Sequence, residues 1–365
     1  MKKIKILSVV GARPNFMKIA PLLREFRKHK RIESVLVHTG QHYSCSMSDI
    51  FIKELKIGRH IALKAGPGEP IEQVKKIMGR FRKVLVKERP DIVVVVGDVN
   101  STLACALVSA SLGIKVAHVE AGLRSFDFSM PEEINRKFTD AISDYLFVTE
   151  PSGLKNLRDE AIPDERIFFV GNIMIDSLVS SIKAARKKNT LSLLGVKRRE
   201  YALLTLHRPS NVDNANSLSR IVNILKKIAK MTTIVYPAHP RAVKMLKALG
   251  YWENLKRINN IIITRPLGYL DFLRLMIDAK FVLTDSGGIQ EETTYLGIPC
   301  FTIRKNTERP VTITQGTNTL VGDNQKLLIS LISRLPRRIK RKIPKLWDGK
   351  TARRITAILM RAASG

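Results

Sequence analysis

The chain has 365 residues, long enough for two domains with cores of their own. No apolar run reaches membrane-spanning length, and Cys45, Cys105 and Cys300 lack metal-ligand spacing and are odd in number, which argues against membrane insertion, a zinc site or a disulfide scaffold. The formal net charge of +31 is spread along the chain without an aromatic-interleaved basic strip, so it predicts attraction of anionic substrates and salt-sensitive polyanion affinity, not a specific nucleic-acid partner.

Ile4–Val10 reads as a first strand and not as a signal peptide, so the expected compartment is the cytoplasm. A helix is predicted over Met17–Lys28, with Pro21 early in it, then a strand at Ser34–His38 and a helix at Ile71–Lys87. Ile92–Val96 is continuously β-branched, as in a parallel sheet covered on both faces. Helix Ser101–Leu112, strand Lys115–Val119, helix Glu132–Ser143 and strands Tyr145–Val148 and Ile167–Val170 complete a Rossmann-like domain over residues 1–170. Residues 171–200, rich in lysine and helix formers, open a second domain ending at 349. Its alternation runs through strand Tyr201–Leu206, helix Leu218–Lys230, strand Thr233–Pro237, helix Arg241–Leu249, strand Ile261–Thr264 and helix Tyr269–Asp278. It closes with strand, Ser-Gly-Gly, helix and strand over Phe281–Ile303. A last helix, Lys350–Ala363, is expected to pack back on the first domain as residues 350–365. The predicted class is α/β, with two Rossmann-like domains facing a central cleft.

Ligands of open α/β sheets sit beyond the carboxyl ends of the strands, so residues just after strands are the site candidates. Gly11-Ala-Arg-Pro-Asn15 lacks G-x-G-x-x-G spacing, which leaves no support for nicotinamide or flavin; Arg13 and Lys18 are candidate anion contacts. Asp98 follows a strand and is either a displayed carboxylate or a helix cap. Glu120 lies in His118-Val-Glu-Ala-Gly-Leu-Arg124, and Glu132 and Glu133 open a helix behind Pro131, where they serve the helix dipole or the chemistry. Carboxylates converging from adjacent strand ends would push one another's pKa apart, which suits an acid/base set. In the second domain His207 is placed to contact a ligand, to shuttle a proton or to pack, and His239 follows a later strand. Ser286, Gly287 and Gly288 form a turn into a helix N-terminus, a seat for a nucleotide or nucleotide-sugar diphosphate, to which Arg309 adds a charged fork. No cluster predicts a metal site.

Together these segments resemble the non-hydrolysing UDP-N-acetylglucosamine 2-epimerases across nearly the whole chain. The resemblance is carried by Gly11-Ala-Arg-Pro14, Thr39-Gly-Gln41-His42, Gly97-Asp98, His118 to Arg124, Pro131-Glu-Glu-Ile-Asn-Arg136, His207-Arg208, Thr284 to Glu292 and Thr307-Glu-Arg-Pro310. It implies a GT-B-like fold and interconversion of UDP-GlcNAc and UDP-ManNAc through bound 2-acetamidoglucal, with no cofactor, in a cytoplasmic homodimer serving polysaccharide biosynthesis. Asp98, Glu120 and Glu132 match the family's acid/base carboxylates, and Lys18 and His207 match functional positions. Glu292 matches a position that holds ribose hydroxyls. Gln41 and His42 match part of a second, allosteric UDP-GlcNAc site. The same features occur in relatives acting on other UDP-2-acetamido sugars, including diacetamido uronates. A hydrolysing 2-epimerase, a GT-B glycosyltransferase and a non-catalytic polyanion-binding protein are the alternatives.

Overall fold

A computed structural model describes residues 3–41, 57–336 and 342–362, with the Arg13 side chain outside the described set. The chain forms two compact units, Met1–Ser180 with Lys345–Gly365, and Ser181–Pro344.

The first unit is built on a seven-stranded sheet ordered β3-β2-β1-β4-β5-β6-β7, every pair parallel. Its strands are β1 (Ile4–Val10), β2 (Ile32–His38), β3 (Ile61–Ala62), β4 (Ile92–Val96), β5 (Lys115–Ala121), β6 (Tyr145–Val148) and β7 (Ile167–Phe169). All five residues of β4 are buried, because helices cover both faces of a parallel sheet. The strand order reverses direction between β1 and β4, and the crevice beyond their carboxyl ends is where such sheets bind ligands.

The helix after β1 spans Arg13–Phe26, four residues earlier than the apolar periodicity predicts. Pro14 suits a first turn, and Asn15 Oδ1 accepts from the Gly11 and Ala12 amides at 3.1 and 2.8 Å. Within this helix Pro21 has no N–H to give the Met17 carbonyl, and the Ser177 hydroxyl donates to that oxygen instead. Ser177 lies on the helix Ile173–Arg186, so the unit boundary falls at Ser181 and not at residue 171. Residues 345–349 also lie with the first unit, where buried Trp347 donates from Nε1 to the Thr149 carbonyl at 3.0 Å. The last helix, Thr351–Ala362, packs back on the first unit as the sequence predicts; Asp176 caps it, accepting from the Thr351 and Ala352 amides at 3.1 and 2.8 Å.

The second unit carries a six-stranded parallel sheet ordered β10-β9-β8-β11-β12-β13. Its strands are β8 (Tyr201–Thr205), β9 (Thr233–Pro237), β10 (Ile261–Thr264), β11 (Phe281–Thr284), β12 (Cys300–Thr302) and β13 (Asn318–Leu320). Its order reverses between β8 and β11. Leu204, Phe281 and Phe301 pack from the sheet against Leu218, Val222 and Leu225 of the helix Ala215–Ala229 in one core. Both units are Rossmann-like. Among the described residues no helix is long and apolar enough to cross a membrane.

Candidate active site

In the first unit the candidates gather at the β1/β4 reversal. Lys18, on the first helix, places Nζ 2.5 Å from Glu120 Oε2, with both side chains buried. Gly97 makes room for this pair: a Cβ there would come 2.8 Å from Lys18 Nζ. Gly97 also sits at φ +70, which suits glycine. Glu120 itself has φ +74, and the β5–β6 register shifts between Val119 and Ala121. A bulge of this kind re-aims a side chain, and it turns the Glu120 carboxylate toward Lys18.

Asp98 is not the cap of the following helix, Asn100–Ser111; Val99 holds that position. Its carboxylate pairs with Arg136, and its carbonyl accepts from Asn135 Nδ2 at 2.9 Å. Arg136 also donates to Glu133 at 2.7 Å. The buried Glu133 is spent on the preceding loop, accepting from the Ser125 amide, the Ser125 hydroxyl and the Phe126 amide. Glu132 lies half-buried in the first turn of the helix Pro131–Ile142. Glu120 holds Lys18, and Asp98, its side chain 31% exposed, shares Arg136 with the buried Glu133; charges taken out of water are paired.

Gln41 is buried with Oε1 accepting from the Ser101 amide and hydroxyl at 3.2 and 2.7 Å, so its acceptor side braces the Gly11 turn. His42 lies outside the described residues. Of Arg13 only the backbone is described, as the first residue of its helix.

In the second unit the candidates gather at the β8/β11 reversal. Asp285, fully buried just after β11, accepts from the His207 and Arg208 amides at 3.0 and 2.9 Å and from Asn211 Nδ2 at 3.3 Å. His207 Nδ1 lies 2.9 Å from Asp285 Oδ1. Burial alone would raise the Asp285 carboxyl, but His207 and these amides outweigh it and hold it below the usual carboxylate range. A carboxylate only accepts, so Nδ1 carries the hydrogen and Nε2 is left for a ligand. The His207 side chain is 41% exposed. His239 lies beside it, with ring centroids 6.0 Å apart; it caps the helix Pro240–Ala248, accepting from the Arg241 amide at 3.3 Å.

Ser286 occupies the N-cap of the helix Gly287–Leu296, but its hydroxyl makes no cap bond. Arg309 packs against this helix start: a Cβ on Gly287 would come 2.6 Å from its Nη1. Arg309 is buried in ion pairs with Glu291 and Glu308, both at 2.6 Å, and Glu308 also pairs with Arg304 at 2.8 Å. The first-turn N–H groups of the helix and the Ser286 hydroxyl thus lie beside a guanidinium held in place by two carboxylates. Further along the helix, buried Glu292 accepts from the Tyr269 hydroxyl at 2.8 Å.

A family model described as UDP-N-acetylglucosamine 2-epimerase matches residues 24–360. The UDP-N-acetylglucosamine 2-epimerase of Methanocaldococcus jannaschii is 43% identical over 362 residues, 98% of this chain and 99% of that protein. The chain belongs to the UDP-N-acetylglucosamine 2-epimerase family. Within the family, the crystal structure of the M. jannaschii enzyme in complex with UDP-GlcNAc and UDP matches with a TM-score of 0.91, covering 98% of this chain and 100% of that one. The expected GT-B-like class of two Rossmann-like domains is therefore the fold of the family. The UDP-2,3-diacetamido-2,3-dideoxy-D-glucuronate 2-epimerase of Pseudomonas aeruginosa is 36% identical over 331 residues, 89% of this chain and 90% of that protein.

Sequence reasoning passed over several residues that shape these sites: His118, Asp140, Asn15, Arg136 and Asp285. Each stood inside or near a quoted motif, but its partner lies far along the chain. Asp140 to His118 spans 22 residues, and Asp285 to His207 spans 78.

Proposed function

We propose that this chain interconverts UDP-GlcNAc and UDP-ManNAc without a cofactor, as a cytoplasmic homodimer with no specific nucleic-acid partner. The observation that carries the reading is the Lys18–Glu120 pair beside Asp98 at the strand-order reversal of the first unit. It supplies acid/base carboxylates where the family's fold binds ligand.

In the forward half of the reaction a carboxylate takes the C2 proton. The C1–O bond breaks, its electron pair leaves with UDP, and C1 and C2 become the double bond of 2-acetamidoglucal. UDP then adds back at C1 while C2 is protonated on its other face. No carbonyl activates the C2 proton, so departure of UDP must help its removal. Asp98, Glu120 and Glu132 are the proposed acid/base set, and Lys18 orients the Glu120 carboxylate. His207, held by Asp285, directs Nε2 at the leaving phosphate. Arg13, Ser286, the Gly287 and Gly288 amides and Arg309 stabilise charge growing on the diphosphate. His239 contacts the substrate beside His207, and Glu292 holds the ribose. Gln41 and His42 are assigned to a second UDP-sugar site.

Incubation with UDP-GlcNAc in D₂O, followed by proton NMR, tests this. Deuterium at C2 with UDP-ManNAc appearing is the expected result. UDP with free ManNAc would instead mark a hydrolysing enzyme. The likeness to the Pseudomonas aeruginosa enzyme favours a second substrate, a UDP-diacetamido uronate, should UDP-GlcNAc not exchange. Asp98→Asn and Glu120→Gln should each lower turnover at least about 100-fold with UDP binding retained. Near-normal turnover removes that residue from the acid/base set.

A further inference from the structure

His118 lies on β5, wholly buried, two residues before Glu120. Its Nε2 is 2.8 Å from the carbonyl oxygen of Gly97, the residue before Asp98. Its Nδ1 is 2.6 Å from Asp140 Oδ1. A carbonyl oxygen can only accept, so Nε2 carries a hydrogen. Asp140 Oδ2 accepts from the Gly122 amide at 3.0 Å and pairs with Arg124 at 2.7 Å. Burial would push the Asp140 carboxyl up, but His118 and Arg124 hold it below its usual range, so it is a carboxylate. Both ring nitrogens are thus engaged, Nε2 on the turn before Asp98 and Nδ1 on Asp140.

We infer that His118 clips the Asp98 and Glu120 turns together, a positioning residue for the acid/base carboxylates of the epimerisation. Arg124, which holds Asp140 from its other side, also pairs with Glu160 at 2.6 Å. Lys137 reaches Glu160 at the rim, at 3.3 Å. On the other side of the clipped turns lie the Lys18–Glu120 and Arg136–Asp98 pairs.

The geometry also explains why a clip is needed. Glu120 adopts a left-handed conformation that a residue with a Cβ resists. Ahead of it, His118 ties β5 to the Gly97 carbonyl; behind it, the Gly122 amide is held on Asp140. One histidine–carboxylate pair thus fixes the backbone on both sides of Glu120 and immediately before Asp98.

The inference rests on the proposed roles of Asp98 and Glu120, and two measurements separate it from them. In the full-length wild-type chain labelled with [¹⁵N]histidine, ¹H–¹⁵N spectra recorded during exchange into D₂O should show a ring N–H of one histidine of the seven protected from solvent, the buried donor on the Gly97 carbonyl. No protected ring N–H would overturn the clip, whatever the carboxylates do. His118→Gln, which keeps one donor and loses the second ring contact, should lower kcat at least about 100-fold while KM for UDP-GlcNAc stays within about 3-fold. If His118→Gln keeps kcat within about 3-fold of wild type while Asp98→Asn and Glu120→Gln are inactive, the positioning role fails and the acid/base reading stands. Active Asp98→Asn and Glu120→Gln variants would overturn that reading and the positioning role with it. Should His118→Gln not fold, the wild-type exchange experiment still decides whether the clip exists.

Discussion

Glu292 lies buried on the helix Gly287–Leu296, where burial drives its carboxyl from the ordinary 4.5 up to about 7; the Tyr269 hydroxyl pulls it down and neighbouring Glu291 pushes it up. In the unfolded chain the same carboxyl ionises near the ordinary value. The stability that the neutral acid contributes is therefore whole below about pH 4.5 and is lost as pH rises through about 7. The loss is on the order of 3 kcal/mol. Urea unfolding of wild type and Glu292→Gln at pH 5 and pH 8 should show a smaller pH effect in the variant; equal pH effects would sink this account. At the other end of the same helix, a methyl on Gly287 would meet the Arg309 guanidinium at 2.6 Å. That guanidinium is held by Glu291 and Glu308, so Gly287→Ala displaces part of the proposed diphosphate seat. Its UDP affinity should fall about 10-fold or more, read by calorimetric titration.

At the scale of elements, the Ser177 hydroxyl answers a carbonyl that Pro21 leaves open. Ser177→Ala strands that buried oxygen and should cost about 1–3 kcal/mol in denaturant unfolding. Trp347→Ala empties one of the largest buried side chains and breaks its bond to the Thr149 carbonyl; about 3–5 kcal/mol is expected, and a change under 1 kcal/mol would contradict the packing described here. Long elements were legible from period and composition. Ile4–Val10, Ile92–Val96, Tyr145–Val148, Thr233–Pro237, Ile261–Thr264 and Tyr269–Asp278 have the bounds predicted for them. The edge strands Ile61–Ala62 and Asn318–Leu320, of two and three residues, were not predicted, since so short a run carries no period. The start of the first helix was misplaced because its signal was a side chain, Asn15, capping backward, and not an apolar stripe.

At the scale of the molecule, residues 181–344 carry 30 lysines and arginines against 10 aspartates and glutamates, so most of the net charge belongs to the second unit. Retention on a polyanion column at about 50 mM salt should be lost by about 200 mM, as counterion release requires, with turnover of UDP-sugar unaffected. Retention that survives high salt would point to a specific polyanion site.

Alternation of apolar strands with amphipathic helices determined two Rossmann-like halves, because a strand buried on both faces must be apolar throughout and that information is local. The same local logic marks strand ends as the places where ligand-facing residues stand. The partners of those residues were decided only by the tertiary structure. Lys18 meets Glu120 across 102 positions, and Asp98 meets Arg136 across 38. Sheet order sets such meetings, and no spacing along the chain encodes them. Which cation a carboxylate meets follows from which elements lie adjacent, and here Lys18 meets Glu120 while Arg136 is shared by Asp98 and Glu133.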